Sequence, residues 1–256
     1  MMGISLNAIY ILWLREMKTF VRAKSRIVGT VVTPLFLLVF LGAGFAGATL
    51  PGVPIGVDYL QFLTPGMVGM TLIFTSVFTG LSVLWDRRYG FLKEIMVTPV
   101  SRVSIVLGRI AGGTTTAMID GLSILVISLL VGFRLGSVIN LLLAVAYMVL
   151  ISISFIGLGL SIASMMKDEQ GFGLIMNFII FPMLFLSGAL YPIENLPMVL
   201  KIISYVNPLT YGIDGLRGSL IGVSYLPPLM NLTVLTGFCV VIVLLGAYLF
   251  EKNEAV

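Results

Sequence analysis

Six long apolar stretches alternate with short polar segments along this chain. Each stretch is comparable to the roughly 20 helical residues that cross the hydrocarbon core of a bilayer. The pattern predicts an all-α membrane protein with six transmembrane helices in a single domain, residues 1–256. The predicted spans are Ile27–Ala48, Leu60–Trp85, Val103–Phe133 (with its membrane part starting near Ile110), Val138–Met165, Gly171–Leu190 and Leu229–Phe250.

Composition and charge place the chain in the same class. Of its residues 59% are hydrophobic and 10% are charged, whereas a soluble domain carries roughly 25% charged residues. The net charge of +4 is small and no basic run carries interleaved aromatic residues, so nucleic acid is not an expected partner. Histidine is absent and Cys239 is the single cysteine, so no metal site is predicted.

The basic residues are distributed unevenly between the two sides of the predicted spans. Twelve of the 15 Lys and Arg residues lie before span one, between spans two and three, between spans four and five, or after span six. Arg134, Lys201 and Arg217 fall on the other side. Because Lys and Arg concentrate in cytoplasmic loops, we predict a multi-pass protein of the cell (cytoplasmic) membrane with both termini in the cytoplasm.

An amphipathic segment, residues 5–26, precedes the first span. Its apolar residues recur at helical spacing, and Arg15 and Glu16 belong to its polar positions. The pattern predicts a helix in the cytoplasmic interface of the lipid bilayer, with Tyr10 and Trp13 at headgroup depth. The alternative is a generic basic anchor that follows the positive-inside rule.

A charged island, residues 86–99, separates spans two and three. Asp86 is a candidate helix N-cap, Gly90 allows a bend, and Pro99 prevents the helix from continuing. The island contains one apolar patch, formed by Phe91, Leu92, Ile95 and Met96. We therefore predict a short helix set at an angle between the two spans. The alternative is an ordinary charged loop, which does not need such a patch.

The segment 182–217, on the predicted outer side, is apolar but interrupted by prolines. Interrupted backbone at membrane depth must be buried in protein or line a wet cavity. We predict a re-entrant helical hairpin or outer-leaflet helices that dip back into the bilayer. One helix is predicted to start at Pro197, with Asn195 or Leu196 as its cap, and to stop at Asn207–Pro208. The alternative is a proline-rich outer loop with a surface helix.

Catalytic motifs are missing from the sequence. There is no Gly-Lys pair and hence no phosphate-binding P-loop, and no G-x-S-x-G nucleophile motif. The chain is therefore not expected to be an enzyme. Asp120 is the one carboxylate well inside a predicted span, and a charge at such a place marks a candidate functional site. The alternative is a structural acid that is hydrogen-bonded to neighbours such as Thr116.

Two blocks at a characteristic separation resemble the ABC-2 type permeases, the membrane subunits of ABC exporters. The first block is Asp86–Arg102, which ends Met-Val-Thr-Pro-Val-Ser-Arg and is similar to the coupling segment of that family. The second is Phe185–Pro197 followed by Tyr205–Arg217, which is similar to its re-entrant region. Within the family, the chain resembles the drug-exporter branch exemplified by the daunorubicin permease, and nodulation-factor and polysaccharide exporters share much of the pattern.

The resemblance implies a complex of two permease chains, a homodimer, with two copies of a separate ABC ATPase subunit. ATP and Mg would be bound by the ATPase, and no cofactor by this chain. Spans one, two and five would line the path at the dimer interface. Arg15 and Glu16 would form a second contact with the ATPase. The residues implied in ATPase coupling are Asp86, Arg87, Arg88, Tyr89, Gly90, Phe91, Leu92, Glu94, Ile95 and Pro99, and those implied in the outer gate are Ser187, Gly188, Pro192, Pro197, Asn207 and Pro208.

Other interpretations remain open. The apolar spans, with Met70, Phe74, Phe78, Met176 and Phe178, suit an amphipathic drug-like or lipid-like substrate, although plain helix packing explains the same residues. A polysaccharide or lipid-linked glycan is the alternative substrate. A secondary transporter or channel without an ATPase is the alternative class, and the lack of inverted repeats argues against it. A membrane enzyme acting on lipid is opposed by the missing catalytic motifs.

Overall fold

The computed structural model describes residues 5–45, 51–53, 56–96, 98, 100–136 and 140–253. The regular elements in these ranges are all helical. They are α1 (Leu6–Arg22), α2 (Lys24–Gly44), α3 (Tyr59–Arg88), α4 (Phe91–Met96), α5 (Arg102–Val131), α6 (Leu141–Met165), α7 (Glu169–Phe185), α8 (Met198–Val206), α9 (Pro208–Ile221) and α10 (Pro228–Asn253), with a 3-10 turn at Ile193–Asn195 between α7 and α8.

Four helices of the described chain are long and apolar enough to cross a membrane: α3, α5, α6 and α10. Two other apolar helical stretches are shorter, namely residues Val28–Gly44 of α2 and Glu169–Phe185, which is α7. The predicted all-α class is therefore confirmed for the described residues. By the criterion of length, four of the six predicted spans stand out.

Several predicted boundaries were wrong. The first helix ends at Arg22, and residues 24–26 already belong to α2. Residues Asp86–Arg88 continue α3, so Asp86 is not the N-cap of the short helix, which covers only Phe91–Met96. The fifth predicted span ends at Phe185 rather than Leu190, because the chain turns at Gly188, where φ is +76° and an L side chain would be strained.

Small residues let the central helices approach closely. Gly80 of α3 lies directly against Gly159 of α6, and a Cβ on Gly80 would come within 2.8 Å of the Gly159 Cα. Such close backbone contact is typical of helix packing in membranes, where van der Waals contact replaces the hydrophobic effect between helices. Around this α3–α6 pair, α5 and α9 pack on both helices, α2 and α7 pack on α3, and α10 packs on α6 and α9.

The helices at the periphery expose apolar side chains. On α2 these include Phe36 and Phe40, and on α7 Leu174 and Phe178, the last with 81% of its surface exposed. On α8, Ser204 is the one buried residue, whereas Met198, Val199 and Val206 are exposed. Exposed apolar surface of this extent indicates contact with lipid or with another apolar protein surface.

Candidate functional site

Asp86, in the last turn of α3, joins three helices. Its side chain is buried, with the residue 6% exposed. It accepts two hydrogen bonds from Arg15 of α1, one of them from Nη1 at 3.0 Å, and another from Nη2 of Arg109 of α5. Arg109 Nη1 also donates to Ser82 Oγ at 3.3 Å. A buried carboxylate between two guanidinium groups is a charge-assisted cluster, which ties α1, α3 and α5 together at one end.

Arg15 also reaches the short helix α4. Its guanidinium carbon lies 3.9 Å from the centroid of the Phe91 ring, a cation–π contact. Between α3 and α4 the chain turns at Gly90, where φ is +79°. The amphipathic segment 5–26 and the charged island 86–99 are thus in direct contact. The contacting residues Arg15 and Asp86 are 71 positions apart in the sequence.

The other predicted coupling residues divide into internal and exposed positions. Arg87 Nη1 donates to the Met166 carbonyl at 2.5 Å, at the end of α6. Arg88 Nη1 donates to Glu169 Oε1 at 3.0 Å, and its side chain is 69% exposed. Tyr89 and Glu94 are exposed, whereas Phe91 and Ile95 are half-buried. Pro99 and the side chain of Leu92 lie outside the described residues.

Helix α1 packs along the first turns of α5, and both helices run in the same direction. Ser5 N donates to Ser104 Oγ at 3.0 Å, and Trp13 Nε1 donates to Thr115 Oγ1 at 3.0 Å. Glu16 is buried in this contact against Gly112. The structure therefore places the Glu16 side chain between helices of this chain rather than on an open surface.

The predicted outer-gate residues Ser187 and Gly188 lie in a buried turn after α7. Ser187 Oγ donates to the Leu184 carbonyl at 2.6 Å, which caps the end of α7. The turn packs on the backbone of α3, because a Cβ on Gly66 would lie 2.2 Å from the Ala189 carbonyl oxygen. Tyr59 of α3 donates its hydroxyl to the Leu190 carbonyl at 2.9 Å. These contacts hold the turn closed against α3.

The remaining predicted gate residues begin the elements that follow this turn. Pro192 precedes the 3-10 turn, and Pro197 is itself the N-cap of α8, so the prediction of Asn195 or Leu196 was wrong. Asn207 caps α9 by accepting from Leu209 N at 3.0 Å, and its Nδ2 donates to the Met183 carbonyl at 2.6 Å. Pro208 occupies the first position of α9. The predicted stop at Asn207–Pro208 is confirmed.

Two buried charges on α9 were not predicted as site residues. Asp214 accepts from Tyr225 N at 2.9 Å, from Leu226 N at 3.0 Å and from Asn231 Nδ2 at 2.8 Å, so it closes the turn between α9 and α10. Arg217, 2% exposed, donates from Nη2 to the Gly188 carbonyl at 2.5 Å. The signal for both was available in the sequence, since charges inside an apolar segment mark candidate sites.

Asp120 accepts hydrogen bonds from threonines on two other helices. Thr30 Oγ1 of α2 donates at 3.0 Å and Thr75 Oγ1 of α3 at 2.7 Å, both to Asp120 Oδ2. The predicted neighbour Thr116 instead donates to the Gly113 carbonyl within α5. The predicted partner was therefore wrong, because hydroxyls on helices distant in sequence approach Asp120 from outside α5.

A cavity of about 380 Å³ opens between α2 and α3, next to these threonines. Thr30 is part of its lining, so the Asp120 cluster borders the cavity through that hydroxyl. Phe74 and Phe78 also line it, and the Phe74 ring contacts Phe181 of α7 at a centroid distance of 6.0 Å. The full lining consists of Ser25, Gly29, Thr30, Thr33, Pro34, Phe74, Phe78 and Trp85.

The regular elements of the described ranges are all helical, and four of these helices are apolar and long enough to span a bilayer, which supports a multi-pass membrane protein. The family model described as ABC-2 type transporter matches residues 7–221, from α1 to the end of α9. This chain therefore belongs to the ABC-2 type transporter family, as the two sequence blocks predicted.

Relatives agree with this assignment. Nodulation protein J of Rhizobium meliloti (strain 1021) is 30% identical over 202 residues, which cover 78% of this chain and 76% of that protein. The inner membrane transport permease YadH of Escherichia coli (strain K12) is 26% identical over 257 residues, or 99% of this chain and 98% of that protein. The putative transport permease ycf38 of Porphyra purpurea is 27% identical over 77% of this chain and 68% of that protein.

Proposed function

We propose that this chain is the membrane-spanning, non-catalytic permease subunit of an ATP-driven ABC exporter, in which a separate ATPase binds ATP and Mg. The observation that carries the proposal is the position of Arg15, which contacts Asp86 at the end of α3 and Phe91 on α4 together. Work done on α4 from outside would reach α1 and α5 through Arg15 and its carboxylate partner, and α3 also through the direct contact between α4 and α3. Family membership supports the same function.

The topology proposed for the exporter has six spans, both termini in the cytoplasm and one domain. Helices α2 and α7 complete the spans, since 17 apolar residues are at the lower end of the lengths that cross a bilayer, roughly 17–25 residues. Helix α5, about 45 Å long at ~1.5 Å per residue, exceeds a hydrocarbon core of roughly 30 Å. Its first turns, which carry α1, would then lie at the cytoplasmic surface. The turn 186–190 with α8 and α9 would form the re-entrant outer region.

The ATPase would dock on α4 and its surroundings. Tyr89, which is 79% exposed, and Glu94, which is also exposed, present side chains that a partner protein can reach. Arg87 and Arg88 line a depression of about 500 Å³ together with Lys167 and Glu169 at the start of α7. A mixed-charge surface beside a short apolar helix suits a protein partner, because charges give register while apolar groups supply contact area.

A second copy of this chain would cover the exposed apolar faces of α2 and α7, giving a homodimer with two ATPase subunits. The cavity between α2 and α3 would then lie on the path of the substrate. Its aromatic and threonine lining supports an amphipathic, drug-like or lipid-like substrate. Phe74 and Phe78 line this cavity, whereas Met70 and Met176 are core residues.

The test replaces Phe91–Met96 by a Gly/Ser segment of the same length and changes Glu94→Lys in a second variant. We expect the Gly/Ser variant to lose substrate-stimulated ATP hydrolysis and coupled transport, and Glu94→Lys to weaken copurification of the ATPase. The measurement is ATPase activity and substrate efflux in proteoliposomes containing both subunits.

The matched control is Lys252→Glu, a charge reversal at an exposed position on the side proposed to be cytoplasmic. It should leave coupled transport unchanged. Transport that continues at the normal rate in the Gly/Ser variant would contradict the proposal, and flux driven by an ion gradient without any ATPase would favour a secondary transporter.

A further inference from the structure

We propose that Arg217 is a positioning residue that holds the turn 186–190 closed on α3, and that the outer side opens when this turn leaves the guanidinium. The inference rests on the proposed export function. It adds one residue, and its mechanism of action, to the outer gate predicted between Ser187 and Pro208.

Arg217 joins four parts of the chain although it lies on α9. Its Nη2 donates to the Gly188 carbonyl at 2.5 Å, and its guanidinium carbon lies 4.0 Å from the centroid of the Phe62 ring on α3. The Tyr225 ring, between α9 and α10, lies 5.8 Å from the same carbon, and Asp214 Oδ1 lies 4.0 Å from Nη1. One planar cation on α9 therefore contacts the turn, α3 and the loop between α9 and α10.

The turn offers Arg217 a carbonyl in a specific direction. Gly188 has a φ of +76°, so its peptide orientation is one that an L side chain would disfavour. The neighbouring Ala189 carbonyl contacts the backbone of α3 at Gly66. The turn is thus held from two directions, by a side chain of α9 and by the surface of α3. Its release requires these contacts, and the hydrogen bond from the Tyr59 hydroxyl to the Leu190 carbonyl, to separate.

Helix α3 links this outer contact to the cytoplasmic one. Phe62 and Gly66 lie near its start and Asp86 lies in its last turn, so both sites are on a single helix of 30 residues, about 45 Å long. A movement imposed on Asp86 through Arg15 would shift the face that holds Ala189. Arg217 is held on α9 beside Asp214. Its hydrogen bond to the Gly188 carbonyl would then break or persist according to the position of α3.

The burial of Arg217 calls for an explanation beyond packing. Burial of a cation carries a large desolvation cost, and a well-packed apolar residue at such a place often leaves the protein equally stable. An arginine differs from an apolar residue in that its hydrogen bond to a carbonyl breaks and reforms as a discrete event. That property suits a turn that is either bound to the guanidinium or released from it.

The experiment measures reactivity of a thiol placed in the turn. Ser187, 1% exposed, is changed to Cys in the full chain, purified in lipid nanodiscs, and the rate of maleimide labelling is followed. With Arg217 present we expect slow labelling. With Arg217→Met the rate at position 187 should rise about tenfold, as for a locally opened segment. Arg217→Lys should lie between, because an ammonium keeps the charge but not the planar contact with Phe62.

Buried Cys239 on α10 is the internal reference, and Lys201→Met, which removes a cation from α8, is the control for charge. The labelling rate of Cys239 should be the same with and without Arg217→Met. The labelling rate at position 187 should be unchanged by Lys201→Met. If the rates at positions 187 and 239 rise together, or if position 187 stays slow, the proposal is overturned. Phe62→Leu, which keeps the cation, gives a second test should Arg217→Met fail to fold, and a smaller rise at position 187 is expected.

The labelling needs neither the ATPase nor a defined membrane orientation, because both faces of a nanodisc are open to reagent. Normal coupled transport in the Gly/Ser variant of Phe91–Met96 would therefore contradict the exporter function without affecting this result. Conversely, a turn that stays protected in Arg217→Met would overturn the role of Arg217 while leaving the exporter function intact.

Discussion

At the scale of single residues, Asp86 lies between two arginines in the last turn of α3. Its carboxylate is shared by Arg15, which is one-third exposed, and by Arg109, which is 3% exposed. Asp86→Asn would leave Arg109 buried beside a neutral amide. We expect the free energy of unfolding to fall by about 3 kcal/mol, the cost of removing one partner of a buried ion pair. Chemical denaturation in detergent micelles measures this.

The matched control breaks the neighbouring exposed pair. Glu169→Gln removes the partner of Arg88, whose side chain is 69% exposed, and exposed ion pairs contribute little because water and salt screen them. Little change in unfolding free energy is expected. Equal losses in the two variants would show that Asp86 is no more important than a surface charge.

At the scale of elements, the contact between α1 and α5 depends on a glycine. A Cβ on Gly112 would lie 2.7 Å from the Glu16 Cβ, which is attached directly to the α1 backbone. Gly112→Ala should therefore push α1 away from α5 and destabilise the protein by roughly 1–3 kcal/mol, as overpacking does. Faster proteolysis near Ala23, between α1 and α2, is the measurement.

Gly237→Ala on α10 is the control for this prediction, since nothing lies within 4 Å of a Cβ at that position. It should leave proteolysis near Ala23 unchanged and stability equal or slightly higher, because alanine is the better helix former. If Gly112→Ala behaves in the same way, α1 is not held by close contact with α5.

At the scale of the whole molecule, the distribution of exposed apolar surface predicts how two copies meet. Phe178 of α7 is 81% exposed and lies three residues before Phe181, whose ring contacts Phe74 in the lining of the cavity. In a Cys239→Ala background, Phe178→Cys should cross-link two chains with a short bifunctional maleimide in native membranes. Denaturing gels would then show a band at twice the mass.

Val241→Cys on α10 tests the opposite side. Val241 is 64% exposed, but α10 packs on α6 and α9, whereas α7 packs on α3. It should give monomers only. Cross-linking at position 241 but not at 178 would place the second copy on the α10 side and contradict the proposed dimer.

The sequence by itself determined the all-α class, several of the helix breaks and the family. Apolar stretches of bilayer length, Gly90 and Asn207–Pro208 act locally, through burial of side chains and allowed backbone angles, so their effect can be read without knowing what lies nearby. At residues 86–88 and 186–190 the predicted helix boundaries were wrong by a few residues, because α3 continues to Arg88 and α7 already ends at Phe185.

Only the tertiary structure decided which polar groups contact one another. Arg15 and Asp86 are 71 positions apart, Thr30 and Asp120 are 90 apart, and Arg217 reaches Gly188 across 29 positions. Such pairs depend on the rotation and register of packed helices, which glycine contacts such as Gly80–Gly159 set to within a few ångströms. The sequence marked these residues as polar groups in an apolar chain. Packing of the helices placed Asp86 between α1 and α5, and Arg217 against the turn at Gly188.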